Sequence, residues 1–254
     1  MIWRAGLPLA ALLLGLFGQH ARAASDSPVT CPSVNLPPIA LPQVRQALGA
    51  GQEVTIVAFG SSSTQGSHAS DMGHTYPAIL QQELEAALPD AHVAVINRGV
   101  GGQDAPEMMA RLDADVIALR PTLVIWQVGA NGAMRGNDPA SFQTLVDEGV
   151  RKLERAGADV ILMDNQRSPA VLASPLHAQI DQALADIARR EDARLFARGR
   201  LMELWQDAGH PYAEFLSDDG IHHNDRGYAC VAMALGRSML DGLGPTRSRY
   251  SASQ

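Results

Sequence analysis

The sequence predicts a three-layer α/β/α fold, with helices on both faces of a mostly parallel sheet of about five strands. Three observations predict it. Short apolar runs alternate with longer stretches of helical periodicity through most of the 254 residues, the pattern of strand–helix–strand crossovers. The run at 122–128, Thr-Leu-Val-Ile-Trp-Gln-Val, is almost continuously apolar, as a strand covered on both faces must be. The early strands each end in a cluster of small residues, where an α/β sheet places its ligand-facing loops.

The elements follow in order. Residues 25–42 are rich in Pro and Ser and read as an extended arm, and 44–49 as a short helix. The first strand is the β-rich run Thr55, Ile56, Val57, Ala58, Phe59. Gly60 ends it, Ser61, Ser62 and Ser63 follow, and Gly66 allows a second sharp turn. Residues 74–88 are helical, because Tyr76, Ile79, Leu80, Leu84 and Leu88 recur at helical spacing and Pro77 suits a first turn. A second strand at 91–97 ends in Arg98-Gly-Val-Gly-Gly102, and 105–119 is helical in pattern. The third strand, 122–128, ends in Gly129-Ala-Asn-Gly132. A helix at 139–156 is capped by Gly157. The fourth strand, 159–163, leads through Asn165 and Pro169 to a helix at 174–190. Then come a fifth strand at 194–197, a short helical piece at 201–208, a polar loop at 217–226 and a last helix at 227–243. No internal repeat or linker divides the chain. The expected organisation is a signal peptide over 1–23, an arm over 24–50, one α/β domain over 51–244 and a disordered tail over 245–254.

The first residues carry a targeting pattern. Arg4 supplies a positive charge, 5–17 is a short apolar run, and Ala21-Arg-Ala23 is a small-x-small cleavage site. The run falls short of the roughly 20 residues a bilayer span needs, which disfavours an uncleaved anchor. A secreted or periplasmic chain with no stable membrane anchor is expected. Cys31 and Cys230 are the only cysteines of the mature chain. In an oxidising compartment they could pair; they could equally be two small hydrophobes, and neither has metal-ligand spacing. The net charge of −7 argues against nucleic acid as a partner, since phosphate binding needs a basic face.

The serine turn is the place to look for chemistry. Ser62, Gly102 and Asn131 each follow a strand end, which puts all three on one rim of the sheet. A hydroxyl nucleophile needs a base, a group orienting that base, and donors for an oxyanion. His222 lies in the polar loop Ser217-Asp-Asp-Gly-Ile-His-His-Asn-Asp-Arg-Gly227, three residues after Asp219. In a turn, that spacing lets a carboxylate meet the ring's Nδ1–H and leaves Nε2 facing the hydroxyl. His223 is a competing base and Asp218 a competing acid. Asn224 or Asp225 could cap the last helix. His68 and His74 read as solvated loop residues that could line the entrance.

Four separated blocks, Phe59-Gly-Ser-Ser-Ser-Thr-Gln-Gly66, Asn97-Arg-Gly-Val-Gly-Gly102, Gly129-Ala-Asn-Gly132 and Asp219-Gly-Ile-His222, resemble in order those of the SGNH hydrolase superfamily, also called GDSL esterases and lipases. The resemblance implies the flavodoxin-like SGNH hydrolase fold over the α/β domain. It implies Ser62 as nucleophile, His222 as base and Asp219 as its orienting acid. It makes Ser62 N–H, Gly102 N–H and the Asn131 amide the oxyanion hole. Two positions depart from the pattern: Ser61 and Gly132 stand where the family usually has Asp. The first departure loosens the register, so Ser61 or Ser63 could be the nucleophile. The implied activity is hydrolysis of carboxylic esters with small acyl groups, on a small ester or an acylated carbohydrate, without metal or organic cofactor. An acyltransferase using the same residues, or a non-catalytic carbohydrate-binding protein, are the other readings.

Overall fold

The structure is a computed structural model that describes residues 1–2 and 29–244. All but the first two residues of the expected signal peptide, and the tail over 245–254, lie outside the described residues. Five parallel strands, β1 (Val54–Gly60), β2 (Val93–Gly99), β3 (Leu123–Gln127), β4 (Asp159–Met163) and β5 (Arg194–Phe196), pair in the order β2-β1-β3-β4-β5. The chain leaves β1 toward one side, forms β2, and crosses back over β1 to β3. Connections therefore diverge between β1 and β3, which opens a crevice at their carboxyl ends.

Ten α-helices accompany the described strands: α1 (Pro42–Ala50), α2 (Ser62–Gln65), α3 (Tyr76–Ala87), α4 (Ala105–Asp115), α5 (Ala130–Arg135), α6 (Pro139–Arg155), α7 (Pro169–Leu172), α8 (His177–Arg190), α9 (Arg198–Asp207) and α10 (Asp225–Leu243). Successive strand residues point to opposite faces, and the two cores divide accordingly. Ile56, Ala58, Leu123 and Ile125 face α1, α3, α9 and α10, packing with Val44, Leu80, Leu84, Trp205 and Leu235. Val57, Phe59, Val124 and Trp126 face α4, α6 and α8, packing with Leu112, Val146, Val150, Ile180 and Leu184. This is the expected three-layer arrangement with a five-stranded parallel sheet.

The boundaries differ where local chemistry decides them. The serine and asparagine turns, expected as loops, wind into the short helices α2 and α5. The helix expected over 174–190 begins only at His177, after the separate turn α7. Pro175 accounts for the gap, because the residue before a proline is pushed out of helical geometry. The last two helices start earlier than periodicity suggests. For α10, the Asn224 side chain accepts from Gly227 N–H at 2.9 Å and fixes Asp225 as the first residue. Cys31 and Cys230 are joined in a disulfide across a sequence separation of 199, tying the arm to α10. The Ile39 N–H adds a bond to the Ser238 carbonyl at 2.8 Å.

Candidate active site

The three serines after β1 have different surroundings. Ser61 and Ser63 are 3% and 2% exposed, while Ser62 is half-buried and opens outward. Ser61 donates twice to Gln127 Oε1, through its N–H and its hydroxyl, each at 3.0 Å. Thr64 Oγ1 donates to the same oxygen at 3.2 Å. Gln127 ends β3 and is itself buried, so one amide oxygen holds the whole serine turn against the neighbouring strand. Ser61 and Ser63 are therefore closed off from an incoming molecule. Sequence reasoning passes over Gln127; its signal is a lone polar residue in an apolar strand.

Two neighbours complete this support. Asn97 Nδ2 donates to the Thr64 carbonyl at 2.8 Å. Gly99 must be glycine for α2 to settle on the end of β2, since a Cβ there would stand 2.0 Å from Gln65 N. Arg111 then gathers the strand ends, donating to the carbonyls of Gly60 and Arg98 at 3.1 and 3.0 Å.

His222 reaches Ser62 from a hairpin-like turn closed by the Leu216–His223 bridge and by Ser217 N–H donating to the His222 carbonyl at 2.9 Å. His222 Nε2 lies 2.7 Å from Ser62 Oγ, and Nδ1 lies 2.5 Å from Asp219 Oδ2. With the ring proton on Nδ1, Ser62 donates to Nε2 and Nδ1–H donates to the carboxylate. Asp219 Oδ1 accepts from Ser217 Oγ at 2.5 Å and from the Ile221 and His222 N–H groups at 3.0 Å each. Partial burial pushes the Asp219 carboxyl up, but these donors outweigh it and hold it well below the usual carboxylate range. Asp219 thus stays ionised throughout the neutral range.

His223, the competing base, points the other way. It is fully buried, and its Nδ1–H donates to the Phe215 carbonyl at 3.0 Å. Burial, then the charge of Arg198, lowers its imidazole to about 3. His68 is expected only at the entrance, yet its Nε2 lies 3.2 Å from Asp219 Oδ2 and its ring stacks on His222, with centroids 5.2 Å apart. His74, His177 and His210 meet Asp71, the Ser174 carbonyl and Glu214.

Gly102, in the loop after β2, and Asn131, in α5 after β3, come from the strand ends that flank β1 and are linked through Gln103. Gly102 is left-handed at φ +78°, and a Cβ on Gly101 would stand 3.9 Å from Ser62 Cβ. Asn131 Nδ2 donates to the Gln103 carbonyl at 2.8 Å, and Arg135 to the Gly102 carbonyl at 2.6 Å. Gly132 faces Asn137, whose amide donates to Asp104 Oδ2 at 3.0 Å, as does Arg135. An acid therefore reaches this turn from Asp104, where the family pattern would have placed one at 132.

The family model described as the non-GDSL lipase-like family matches residues 29–245. Esterase TesA of Pseudomonas aeruginosa is 30% identical over 99 residues, which are 39% of this chain and 48% of that protein. Among solved structures, a two-domain esterase active on acetylated mannans superposes with a TM-score of 0.69 at 25% identity, covering 84% of this chain and 56% of the other. Axe2, an acetylxylan esterase from Geobacillus stearothermophilus, superposes with a TM-score of 0.63 at 21% identity over 77% of this chain and 97% of its own, a likeness of fold. This chain spans about half the length of TesA and of the two-domain esterase.

Proposed function

The chain belongs to the non-GDSL lipase-like family of the SGNH hydrolase superfamily, and from that premise we propose that it is a carboxylic ester hydrolase with Ser62 as nucleophile, His222 as base and Asp219 as orienting acid. The observation that carries the reading is the unbroken chain of contacts from Ser62 Oγ through His222 to Asp219, at 2.7 and 2.5 Å. Ser62 Oγ attacks the ester carbonyl carbon as its proton passes to His222 Nε2. The resulting imidazolium is balanced by Asp219. The oxyanion takes hydrogen bonds from Ser62 N–H, Gly102 N–H and the Asn131 amide. Ser62 N–H is free for this, because the first residue of a helix has no carbonyl four residues back. Asn131 keeps its second N–H, the first being held by Gln103. His222 Nε2–H then protonates the leaving alkoxide. Water attacks the acyl-serine as its proton passes to Nε2; the C–Oγ bond then breaks, Nε2–H returns that proton to Ser62 Oγ, and the acid departs.

The substrate class we propose is small acyl groups, acetyl first, on a carbohydrate; the fold likeness to a two-domain esterase active on acetylated mannans supports it. The disulfide supports a secreted or periplasmic location, since such bonds persist in oxidising compartments. The test is Ser62→Ala with a series of aryl esters of rising acyl length. The variant should retain its fold and lose at least a thousandfold in kcat. Unchanged turnover overturns the nucleophile, and a preference for long acyl chains overturns the substrate class.

A further inference from the structure

We propose that His68 is a positioning residue for ester hydrolysis: its uncharged ring braces the face of His222, and taking up a proton turns it into a competitor for Asp219. The inference rests on Ser62, His222 and Asp219 being the reacting set. The two rings stack with centroids 5.2 Å apart and 15° between their planes. Near-parallel rings cannot both point an N–H at one oxygen, and His222 Nδ1 already meets Asp219 Oδ2 at 2.5 Å. His68 Nε2, 3.2 Å from the same oxygen, therefore acts on it through charge, which it carries only when protonated.

The chain from Ser62 to His68 is short and fixed. Gly66 and Ser67 N–H both donate to the Ser62 carbonyl, at 2.9 and 3.0 Å, and the Tyr228 hydroxyl donates to the Ser67 carbonyl at 2.7 Å. His68 then adopts φ +66°, a left-handed conformation disfavoured for a residue with a Cβ. Strain of this kind persists only where the surroundings over-determine it. Here the nucleophile's own turn and α10 hold the backbone, and the ring lies against His222.

When Ser62 Oγ gives its proton to Nε2, the His222 ring becomes a cation. A neutral aromatic ring on its face stabilises that cation and keeps the imidazole from swinging off the serine. A protonated His68 does the opposite: one carboxylate then faces two cations, and the His222 imidazolium forms against a like charge. Other titratable groups stand around this loop. Asp225 of α10 accepts from Ser70 N–H at 2.8 Å, and Asp71 and His74 pair on the loop itself. Burial pushes the Tyr228 phenol up, so it stays neutral. Asp219 is the acid that the His68 ring nitrogen meets. Imidazole is the side chain that changes charge near neutrality, so both forms of His68 bear on the reaction.

Two variants test this. His68→Asn tolerates the left-handed backbone but brings neither ring nor proton; His68→Phe brings the ring without the proton. Thermal melts check both folds. On the alkaline plateau with an acetyl aryl ester, His68→Asn should lose about three- to tenfold in kcat with KM unchanged, and His68→Phe should recover most of it. In the pH profile of kcat/KM, the acid limb of both variants should lie about 0.3 unit or more below that of the unaltered protein, because one of two coupled proton acceptors is gone. Proton NMR of the ring Cε1–H groups in Ser62→Ala should show His68 and His222 titrating as a coupled pair, and adding His68→Asn should leave His222 with a single step. An unchanged kcat in His68→Asn, a loss that folded His68→Phe does not recover, or an acid limb unmoved in both variants overturns the role. If the rings titrate as a pair in Ser62→Ala while the unaltered protein hydrolyses no ester, the coupling of His68 to His222 stands and the esterase reading falls.

Discussion

Ser61→Asp restores the acid usual in the family, and the structure says that it should harm this protein. Position 61 is 3% exposed, and its hydroxyl points at Gln127 Oε1, which also accepts from Ser61 N–H and Thr64 Oγ1. A carboxylate would meet an acceptor oxygen in a site with little water. Turning the Gln127 amide over would offer it Nε2–H but would take the acceptor from the Ser61 N–H and the Thr64 hydroxyl. Unturned, the carboxylate is a buried acceptor with no donor; turned, two buried donors lose their acceptor; either outcome costs roughly 1–3 kcal/mol, and the buried charge adds a comparable sum, so a loss of about 2–4 kcal/mol is expected. Ser61→Asn matches the volume without the charge and donates to Gln127 Oε1, so it should cost less than half as much. The penalty depends on pH in a definite sense. Burial raises the folded-state pKa of the introduced carboxyl above its unfolded value of about 4. The folded state then binds the extra proton, so the penalty is small below about pH 4 and grows as pH rises through the folded-state pKa. Denaturant melts of both variants at pH 4 and pH 7, each referenced to the unaltered protein, measure this. Equal stabilities of the Asp and Asn variants at pH 7 would refute the reasoning.

Other perturbations test other parts. Asp219→Asn should lower kcat by roughly 10²–10⁴ with little change in KM, because the ring loses its preferred tautomer; a loss under tenfold would mean that another acid orients His222. Replacing both Cys31 and Cys230 with Ser should cost about 2–5 kcal/mol, given a closed loop of separation 199, read as a drop in denaturation midpoint that reducing agent no longer deepens. Asp164 is fully buried; burial first, then the charge of Asp181, pushes its carboxyl up to about 7. The folded state therefore holds a proton that the unfolded chain has given up by about pH 5, and stability from this group declines as pH rises from about 5 to 7. Asp164→Asn keeps the acceptor for the Gly199 N–H and should flatten that decline; a parallel pH–stability curve would contradict it.

What was legible in the sequence was what repeats locally. β1 and β3 are apolar runs ending in glycine, so the sheet and the rim carrying Ser62, Gly102 and Asn131 could be drawn from pattern alone. The Asp219–His222 pair was readable because both members lie in one turn. The rest depends on contacts with no local signature. Gln127 and Ser61 are 66 residues apart, and their meeting depends on β1 pairing with β3. His68 and Asp219 come from loops that only the whole fold brings together. The short helices α2 and α5 span 4 and 6 residues, too few for a periodicity to register. The departures at Ser61 and Gly132 are answered by Gln127 and Asp104, partners that no spacing rule connects to them.

The support given by Gln127 divides the site by timescale. The Ser61 amide is sealed beneath the turn, so its hydrogen exchanges only when β1 and β3 part. The Ile221 and His222 amides bond to the carboxylate of an exposed loop and exchange by local opening. The Ser62–His222 contact thus spans a slow-exchanging body and a fast-exchanging arm. On warming, the arm departs first. Turnover should fade several degrees below the loss of the sheet's circular dichroism, and cooling from that interval should restore it.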